Sequence, residues 1–259
     1  MKNQSPFTID MVSFPTSWNP DFQIQKTDSV LEITNKTKSD LLVFSGYTLY
    51  SEKELNKFLK RVKNTKSLVY LEVGDGSPRP GNRYFLLYQN GKVIQSNLIQ
   101  VFSQSSEVDS DPDLINEYVG VLEKERMFSY NGKLLTLVIC GEINFLRNVQ
   151  SDDNRVEIRT NDTSILKKYN EIISKTDIFI NPQHTPMGNQ GKLKKRREFL
   201  STKGKIYCST TNLDDNIPVD NVPDKLNGVS IQYCYQNGKP IEGEIQSWGF
   251  HIVKRYLVK

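Results

Sequence analysis

The sequence has few of the residues that build disulfide frameworks or metal centres. Its 259 residues include three cysteines and two histidines. An odd number of cysteines argues against a set of paired disulfides and favours a reducing compartment. The cysteines and histidines also lack the close spacing of metal ligands, so no zinc site can be assembled from them. We therefore predict no metal site and no cofactor.

Long apolar runs are missing as well. No stretch approaches the roughly 20 apolar residues that a membrane-spanning helix needs. The first residues lack the apolar run of a secretory signal. We therefore expect a cytoplasmic protein that has no contact with a membrane.

An excess of charge of one sign is absent too. The formal charge of +4 is small for this length and does not by itself indicate nucleic-acid binding. The densest basic cluster lies within residues 192–197. It can be a solvated helix face or a patch that binds a polyanion. A nucleic-acid partner is not expected.

Apolar strands alternate with helical segments along the chain. Strands are predicted over residues 7–14, 40–44, 67–73, 83–88, 134–139, 177–181, 205–209 and 251–258. Helices are predicted over residues 28–38, 51–63, 163–174 and 193–201, and a polar loop over 103–113. Hairpin turns are predicted at the Asn-Gly pairs 90–91, 131–132 and 237–238, because glycine supplies the positive φ that such turns need. This order favours a layered α/β domain with mixed sheets.

The most informative stretch is residues 134–145, where an apolar run ends in Cys140 and Gly141. The run predicts a buried strand, and the Cys-Gly step predicts a sharp turn at its carboxyl end. Side chains at that end of an α/β sheet leave the packed core and face a crevice. Glu142 follows two positions after the cysteine. Cys140 is therefore the candidate nucleophile.

This segment resembles the nucleophile strand of the nitrilase superfamily of carbon–nitrogen hydrolases, in which an acidic residue follows the cysteine by two positions. Residues 40–44 resemble the strand that there ends in Pro-Glu and delivers the general base. The hairpin at 91–94 resembles the one that leads to the catalytic lysine. Residues 177–182 and 205–212 resemble the two strands that follow the nucleophile.

The resemblance implies an α/β fold of a particular kind. This is a four-layer αββα sandwich, with two mixed sheets face to face and helices on both outer faces. We predict one carbon–nitrogen hydrolase-like domain over residues 1–259, with its core at about 7–212 and a C-terminal extension at 213–259. Because such domains usually pair, the resemblance also implies a homodimer or pairing with a related chain.

The sequence departs from the superfamily at two catalytic positions. Gly46 stands where the resemblance places the glutamate, and Ile99 stands where it places the lysine. A positioned general base is worth about 10²–10⁴-fold in rate. Losing one donor to the tetrahedral intermediate costs on the order of 10²–10³-fold. Ordinary nitrilase-type turnover is therefore not expected.

Three interpretations of Cys140 remain open. It can be a relic in a pocket that binds a small molecule without hydrolysing it. It can be a nucleophile served by unconventional partners such as Glu107, Glu117 or Lys133. It can also be a small core hydrophobe, since free cysteine is often buried. Glu107 lies about where many superfamily members carry a second, supporting glutamate, and Glu117 is its rival.

Glu142 and His184 are the candidate binding residues. Glu142 matches the acidic residue that follows the nucleophile in the superfamily. His184 lies just past a predicted strand, near the rim of the implied pocket. It can contact a ligand, act as a base for Cys140, or be a loop histidine without a functional role.

Gly46 and Ile99 favour a non-hydrolytic binding or regulatory module, a pseudoenzyme with a small-molecule ligand. The alternative is a Cys140-dependent amidohydrolase or acyltransferase that acts on a C–N bond through a rewired general base. For the pseudoenzyme we expect slow alkylation of Cys140 by iodoacetamide at neutral pH, as for an ordinary thiol.

Overall fold

The computed structural model describes residues 6–17, 19–63, 66–77, 81–111, 113–185, 190–212, 231–247 and 250–259. The strands in these residues are β1 Phe7–Ser13, β2 Leu41–Phe44, β3 Leu68–Gly74, β4 Arg83–Gln89, β5 Lys92–Leu98, β6 Met127–Tyr130, β7 Lys133–Leu137, β8 Leu146–Val149, β9 Arg155–Ile158, β10 Ile178–Pro182, β11 Ile206–Thr210, β12 Gln232–Gln236, β13 Lys239–Ile241, β14 Glu244–Ser247 and β15 Ile252–Val258. The α-helices are α1 Pro20–Lys36, α2 Glu52–Arg61, α3 Ser105–Ser110, α4 Asp113–Glu125, α5 Thr163–Lys175 and α6 Gln190–Leu200.

Two mixed sheets form the centre of the fold. Within the described residues, one sheet has seven strands in the order β14-β15-β1-β2-β3-β4-β5, and the other has six in the order β13-β12-β11-β10-β7-β6. Side chains alternate between the two faces of each strand. Met11 and Val43 of the first sheet therefore pack in one cluster with Leu137 and Ile180 of the second. The sheets thus lie face to face.

Helices cover both outer faces of this pair of sheets. Val30 of α1 and Phe58 of α2 pack on the first sheet. Leu122 of α4 and Tyr169 of α5 pack on the second. The chain is therefore a four-layer αββα sandwich, and the predicted fold class is confirmed. In the part of the chain that the structure describes, no helix is both long and apolar enough to cross a membrane.

The predicted turns occur where the Asn-Gly pairs stand. Both residues of each pair, at 90–91, 131–132 and 237–238, have positive φ. The predicted loop at 103–113 instead contains α3. The polar residues of this segment include the cap of the helix. The Glu107 carboxylate accepts hydrogen bonds from the backbone N–H groups of Ser103 and Gln104, which stabilises the start of α3. The helix α4 was missed as well.

Residues after 212 contribute strands to both sheets. Strand β12 pairs with β11, and β15 pairs with β1 along its whole length. The Gln232 side chain donates to the carbonyl of Met11 at 3.1 Å and to that of Ile252 at 3.2 Å. The described part of the predicted extension thus joins the body of the domain, while residues 213–230 lie outside the described residues.

Candidate active site

Cys140 lies just past β7, at the first residue of a short 3-10 turn over 140–145. It is half-buried and its φ is +44°. A left-handed backbone costs a non-glycine residue roughly 1–2 kcal/mol, so it persists only where the surroundings impose it. Strained turns of this kind present nucleophiles at the ends of strands.

Glu142 holds this turn from inside the protein. Its carboxylate accepts the backbone N–H of Ile139 at 2.8 Å and that of Val101 at 2.7 Å, and it pairs with Arg126. Both charged side chains are fully buried. Burial raises the pKa of Glu142, and the Arg126 guanidinium opposes that shift. The described contacts of Glu142 therefore stabilise the turn at Cys140.

Two other contacts fix the backbone around Cys140. A Cβ at Gly141 would lie 1.8 Å from the carbonyl oxygen of Ser103, so only glycine allows this close approach. The Asn181 side chain on β10 donates to the carbonyls of Val138 at 2.6 Å and Cys140 at 3.1 Å. The backbone around Cys140 is thus held by Ser103 on one side and by Asn181 of β10 on the other.

The imidazole of His184 fills the space beside Gly46. A Cβ at Gly46 would lie 2.3 Å from His184 Cδ2. Any larger side chain at position 46 would therefore displace the ring. The position where the resemblance places a glutamate is empty of side-chain atoms, and a histidine from the end of another strand occupies that volume.

Asn212 ties these two segments together. Its Nδ2 donates to the carbonyl of Gly46 at 2.7 Å and to that of His184 at 2.9 Å. The Gly46 N–H donates to the carbonyl of Gln183 at 2.9 Å. The placement of His184 over Gly46 is therefore supported by main-chain hydrogen bonds on both sides.

Glu72 and Cys140 are the polar partners of His184. The Nε2 atom lies 2.8 Å from Glu72 Oε1, in the interior at the end of β3. The ring also lies close enough to Cys140 for the thiol to contribute to the raised pKa of His184. Cys140, His184 and Glu72 form a Cys–His–Glu array, the arrangement that activates cysteine nucleophiles on several unrelated folds.

The array favours a charged imidazole. Burial by itself lowers the pKa of His184, but the interactions with Glu72 and Cys140 outweigh burial and raise that pKa to about 10. The ring therefore carries its second proton at neutral pH. A cationic imidazole beside a thiol is the surrounding in which cysteines react as thiolates.

Three more side chains surround Glu72. The Tyr47 backbone N–H donates to Glu72 Oε2, and the Tyr47 ring centroid lies 4.5 Å from that of His184. Arg83 Nε lies 3.5 Å from Glu72 Oε1, and its guanidinium lies 5.0 Å from the Tyr47 ring centroid. Lys26 donates to the Tyr47 carbonyl. Glu72 is thus the centre of a buried charged cluster.

A cleft of about 190 Å³ lies beside the array. Glu72 and Arg83 line one part of it, and Ile99, Ser103 and Glu107 line another. Ser103 also touches Gly141, so this wall of the cleft packs against the turn at Cys140. Of Cys140, His184 and Glu72, it is Glu72 that lines the cleft. Its volume is below the roughly 300 Å³ at which most ligand pockets begin, so it has room only for a small molecule.

The other predicted candidates lie outside the array. Glu107 caps α3 and reaches the cleft wall, whereas Glu117 is exposed on α4. Ile99 is 61% exposed at the cleft rim and places no charge there. Lys133 begins β7, at the opposite end of that strand from Cys140.

The basic cluster at 192–197 divides into two groups. Arg196 donates to Asn144 Oδ1 at 2.7 Å and to Asn148 Oδ1 at 2.8 Å. Arg197 lies 3.5 Å from the ring centroid of Tyr233. Both arginines are buried, so Arg196 holds α6 against the 3-10 turn and β8, and Arg197 holds it against β12 of the second sheet. The lysines of the cluster are more exposed.

Glu72 was not among the site residues predicted from the sequence. A signal was present, because a lone carboxylate stands inside the apolar strand Leu68–Gly74. Such residues are seldom buried without a partner. Lys26, on the inner side of α1, gave no comparable signal.

Comparisons with known proteins bear on the fold. No protein-family model matches the chain, and no curated protein matches it. Solved structures do. A CN-hydrolase superfamily protein from Xanthomonas campestris, with an arsenic adduct in its active site, has a TM-score of 0.54 and 11% identity over 99% of this chain and 91% of that one. A variant of the amidase from Nesterenkonia sp. AN1, with the acetamide moiety of fluoroacetamide on its active-site cysteine, has a TM-score of 0.53 and 11% identity over 98% and 92%.

A glutamine-dependent NAD(+) synthetase from Cytophaga hutchinsonii has a TM-score of 0.56 and 12% identity. The alignment covers 98% of this chain and 43% of that one, so this chain corresponds to less than half of the synthetase. Identities this low show a shared fold. The chain therefore has the nitrilase-like CN-hydrolase fold.

The contact between Gly46 and His184 leads to a substitution test. Gly46→Ala places a methyl group where His184 Cδ2 lies, so the ring must move away from Cys140. We expect the alkylation rate of Cys140 by iodoacetamide at pH 6 to fall by about tenfold or more. The rate is measured by mass spectrometry of the Cys140 peptide.

Gly120→Ala on α4 is the matched control, because a Cβ at Gly120 meets no atom within 4 Å. It should leave alkylation unchanged and raise the free energy of unfolding by about 0.5–1 kcal/mol. An equal alkylation rate in Gly46→Ala and wild type would contradict the placement of His184.

The raised pKa of His184 leads to a test of stability against pH. The native state holds the histidine proton more tightly than the unfolded chain, whose histidine pKa is about 6.5. The stabilisation is therefore complete below about pH 6.5. It is lost as the pH rises through about 10. We expect the difference in free energy of unfolding between wild type and His184→Gln to shrink between pH 7 and pH 10, as measured by urea denaturation. A difference that stays constant or grows over this range would contradict the charged imidazole.

Proposed function

We propose that this protein is a cysteine-dependent enzyme that hydrolyses or transfers the acyl group of a small amide. The observation that carries the proposal is the Glu72–His184 hydrogen bond beside Cys140, in the volume that Gly46 leaves open. In this proposal His184 takes the place of the general base that is missing at Gly46, and it was that missing base that favoured a pseudoenzyme. Reaction at a C–N bond is argued by analogy with the fold relatives, among them an amidase with an adduct on its cysteine.

The proposed chemistry is acyl transfer through a thioester. The Cys140 thiolate attacks the amide carbonyl carbon, and the pair of electrons of the C=O bond moves to oxygen. As the C–N bond breaks, the imidazolium of His184 gives its proton to the leaving nitrogen. Neutral His184 then takes a proton from water, whose oxygen attacks the thioester and releases Cys140. Glu72 fixes the orientation of the imidazole throughout.

Negative charge on the tetrahedral intermediate needs a stabilising group. Ile99 cannot supply one from the position where the resemblance places a lysine. Arg83 is the cation among the described residues that line the cleft. We assign it the role of favouring negative charge there, because a cation in a partly buried site acts with less screening than in water.

A binding module is the second candidate function. The exposed Ile99 side chain at the cleft rim favours it, since no charge replaces the expected lysine at that point. In this alternative the cleft binds a small molecule and Cys140 does not turn over. From the resemblance we also propose that the chain pairs with a second copy or with a related chain, in the cytoplasm.

The reactivity of Cys140 separates the two candidates. For the enzyme we expect wild-type Cys140 to react with iodoacetamide at pH 6 at least about tenfold faster than free cysteine, with little further rise up to pH 8. His184→Gln should lower the rate at pH 6 by about tenfold or more and restore an ordinary thiol profile. Rates are measured by mass spectrometry from pH 5 to pH 9.

His251→Gln is the matched control, because it removes the other histidine of the chain, which lies just before β15 with its ring centroid 5.7 Å from that of Phe14. Cys208 and Cys234 are buried and should stay unlabelled in the folded protein. Slow labelling of wild-type Cys140 that rises with pH as in free cysteine would refute the enzyme and support the binding module.

Acyl transfer itself predicts a covalent intermediate. Incubation with a panel of small amides, followed by acid quenching, should give a mass increase on the Cys140 peptide equal to the acyl group. Cys140→Ala should abolish the adduct. His184→Gln should reduce its rate of formation by about 10²-fold or more. Rapid iodoacetamide labelling with no adduct and no ammonia release from any amide would point to a different acyl donor class.

A further inference from the structure

Lys26 is a buried lysine next to the proposed array. It lies on α1 and is 1% exposed. Its Nζ lies 4.9 Å from the ring centroid of Phe14, and it donates to the carbonyl oxygen of Tyr47. Taking an ammonium group out of water is costly, so the hydrogen bond to Tyr47 has to offset part of that cost.

The backbone of Tyr47 is held at both its N–H and its carbonyl group. Its N–H donates to Glu72 Oε2, and its carbonyl accepts from Lys26. Its φ is +57°, in the left-handed region that bulky side chains rarely adopt. Such a conformation persists when surrounding contacts over-determine it. Here the contacts with Glu72 and Lys26 impose the conformation of Tyr47.

This conformation matters for His184. It places the Tyr47 ring 4.5 Å from the imidazole and directs the Tyr47 N–H at Glu72 Oε2. With Oε2 occupied in this way, Oε1 faces His184 at 2.8 Å. Arg83 approaches the same Oε1 atom at 3.5 Å and competes for it. If Tyr47 relaxes, Glu72 loses one restraint and can turn toward Arg83.

We propose that Lys26 is a positioning residue for the Cys140–His184–Glu72 array and acts through the Tyr47 peptide. This inference rests on the proposed function. Lys26 touches neither Cys140 nor His184 in the described contacts, so its effect passes through Tyr47 and Glu72.

The proton on Lys26 sets the strength of this restraint. Burial lowers the pKa of Lys26 to about 7, while the charge of Glu72 opposes that shift. Arg83 and His184 lie on the other side of Glu72, each in contact with its carboxylate. Below pH 7 the Tyr47 carbonyl therefore accepts from an ammonium group, and above pH 7 from a neutral amine, which is a weaker donor.

Two substitutions test the proposal through Cys140 alkylation by iodoacetamide. Lys26→Met removes the donor, and we expect the rate at pH 6 to fall by about five- to tenfold in protein that remains folded. Lys26→Arg keeps a donor that stays charged, and it should recover most of the rate. The ratio of the wild-type rate to the Lys26→Arg rate should fall as the pH rises through about 7, because only the lysine loses its proton there.

Lys254→Met is the matched control. Lys254 is half-buried on β15 and burial also lowers its pKa, but it lies outside the cluster around Glu72. This variant should keep the wild-type rate at every pH. Wild-type alkylation in folded Lys26→Met overturns the proposal. A ratio of the wild-type alkylation rate to the Lys26→Arg rate that stays constant with pH also overturns it. If Lys26→Met does not fold, this ratio is the deciding measurement.

The result is separable from a failure of the proposed function. If His184→Gln leaves the alkylation rate unchanged, the array itself is refuted. If His184→Gln slows alkylation but the Lys26 variants do not, the array stands and only the role of Lys26 is refuted.

Discussion

The site depends on one buried hydrogen bond, between Glu72 and His184. Neither group is stable alone in the interior, because a buried carboxylate and a buried imidazolium each lose solvation free energy. Together they fix the orientation of the ring, and the Glu72 carboxylate helps to raise the pKa of His184. Tyr47, Arg83 and Lys26 all contact this pair or its backbone supports, so the local charge balance is set around it.

The αββα sandwich makes this pairing possible. Glu72 comes from the first sheet, whereas His184 and Cys140 follow β10 and β7 of the second. The array therefore crosses the interface between the sheets at one end of the sandwich. Asn212 and Asn181 secure the two loops with side-chain amides that reach main-chain carbonyls. A shift of one sheet against the other would therefore separate Glu72 from His184.

The charged groups buried near Cys140 serve two different purposes. Glu142 and Arg126 pair with each other, and both also bond to the backbone, so they hold the strained turn in place. Glu72 lines the cleft and bonds to His184, which lies near Cys140, so this pair is placed beside a thiol and an open volume. The distinction lies in what each carboxylate contacts, since all four side chains are buried in an otherwise apolar interior.

The sequence alone determined the layered α/β class, the Asn-Gly hairpins and the turn at Cys140, because periodicity and turn residues act locally. It also marked Gly46 as a position without a base. Only the tertiary structure decided what fills that space. His184 is 138 residues from Gly46 in the chain, and its partner Glu72 belongs to the sheet opposite the one that carries His184. Considered alone, glycine at position 46 removes a possible general base. In the fold it leaves the space that the His184 ring occupies.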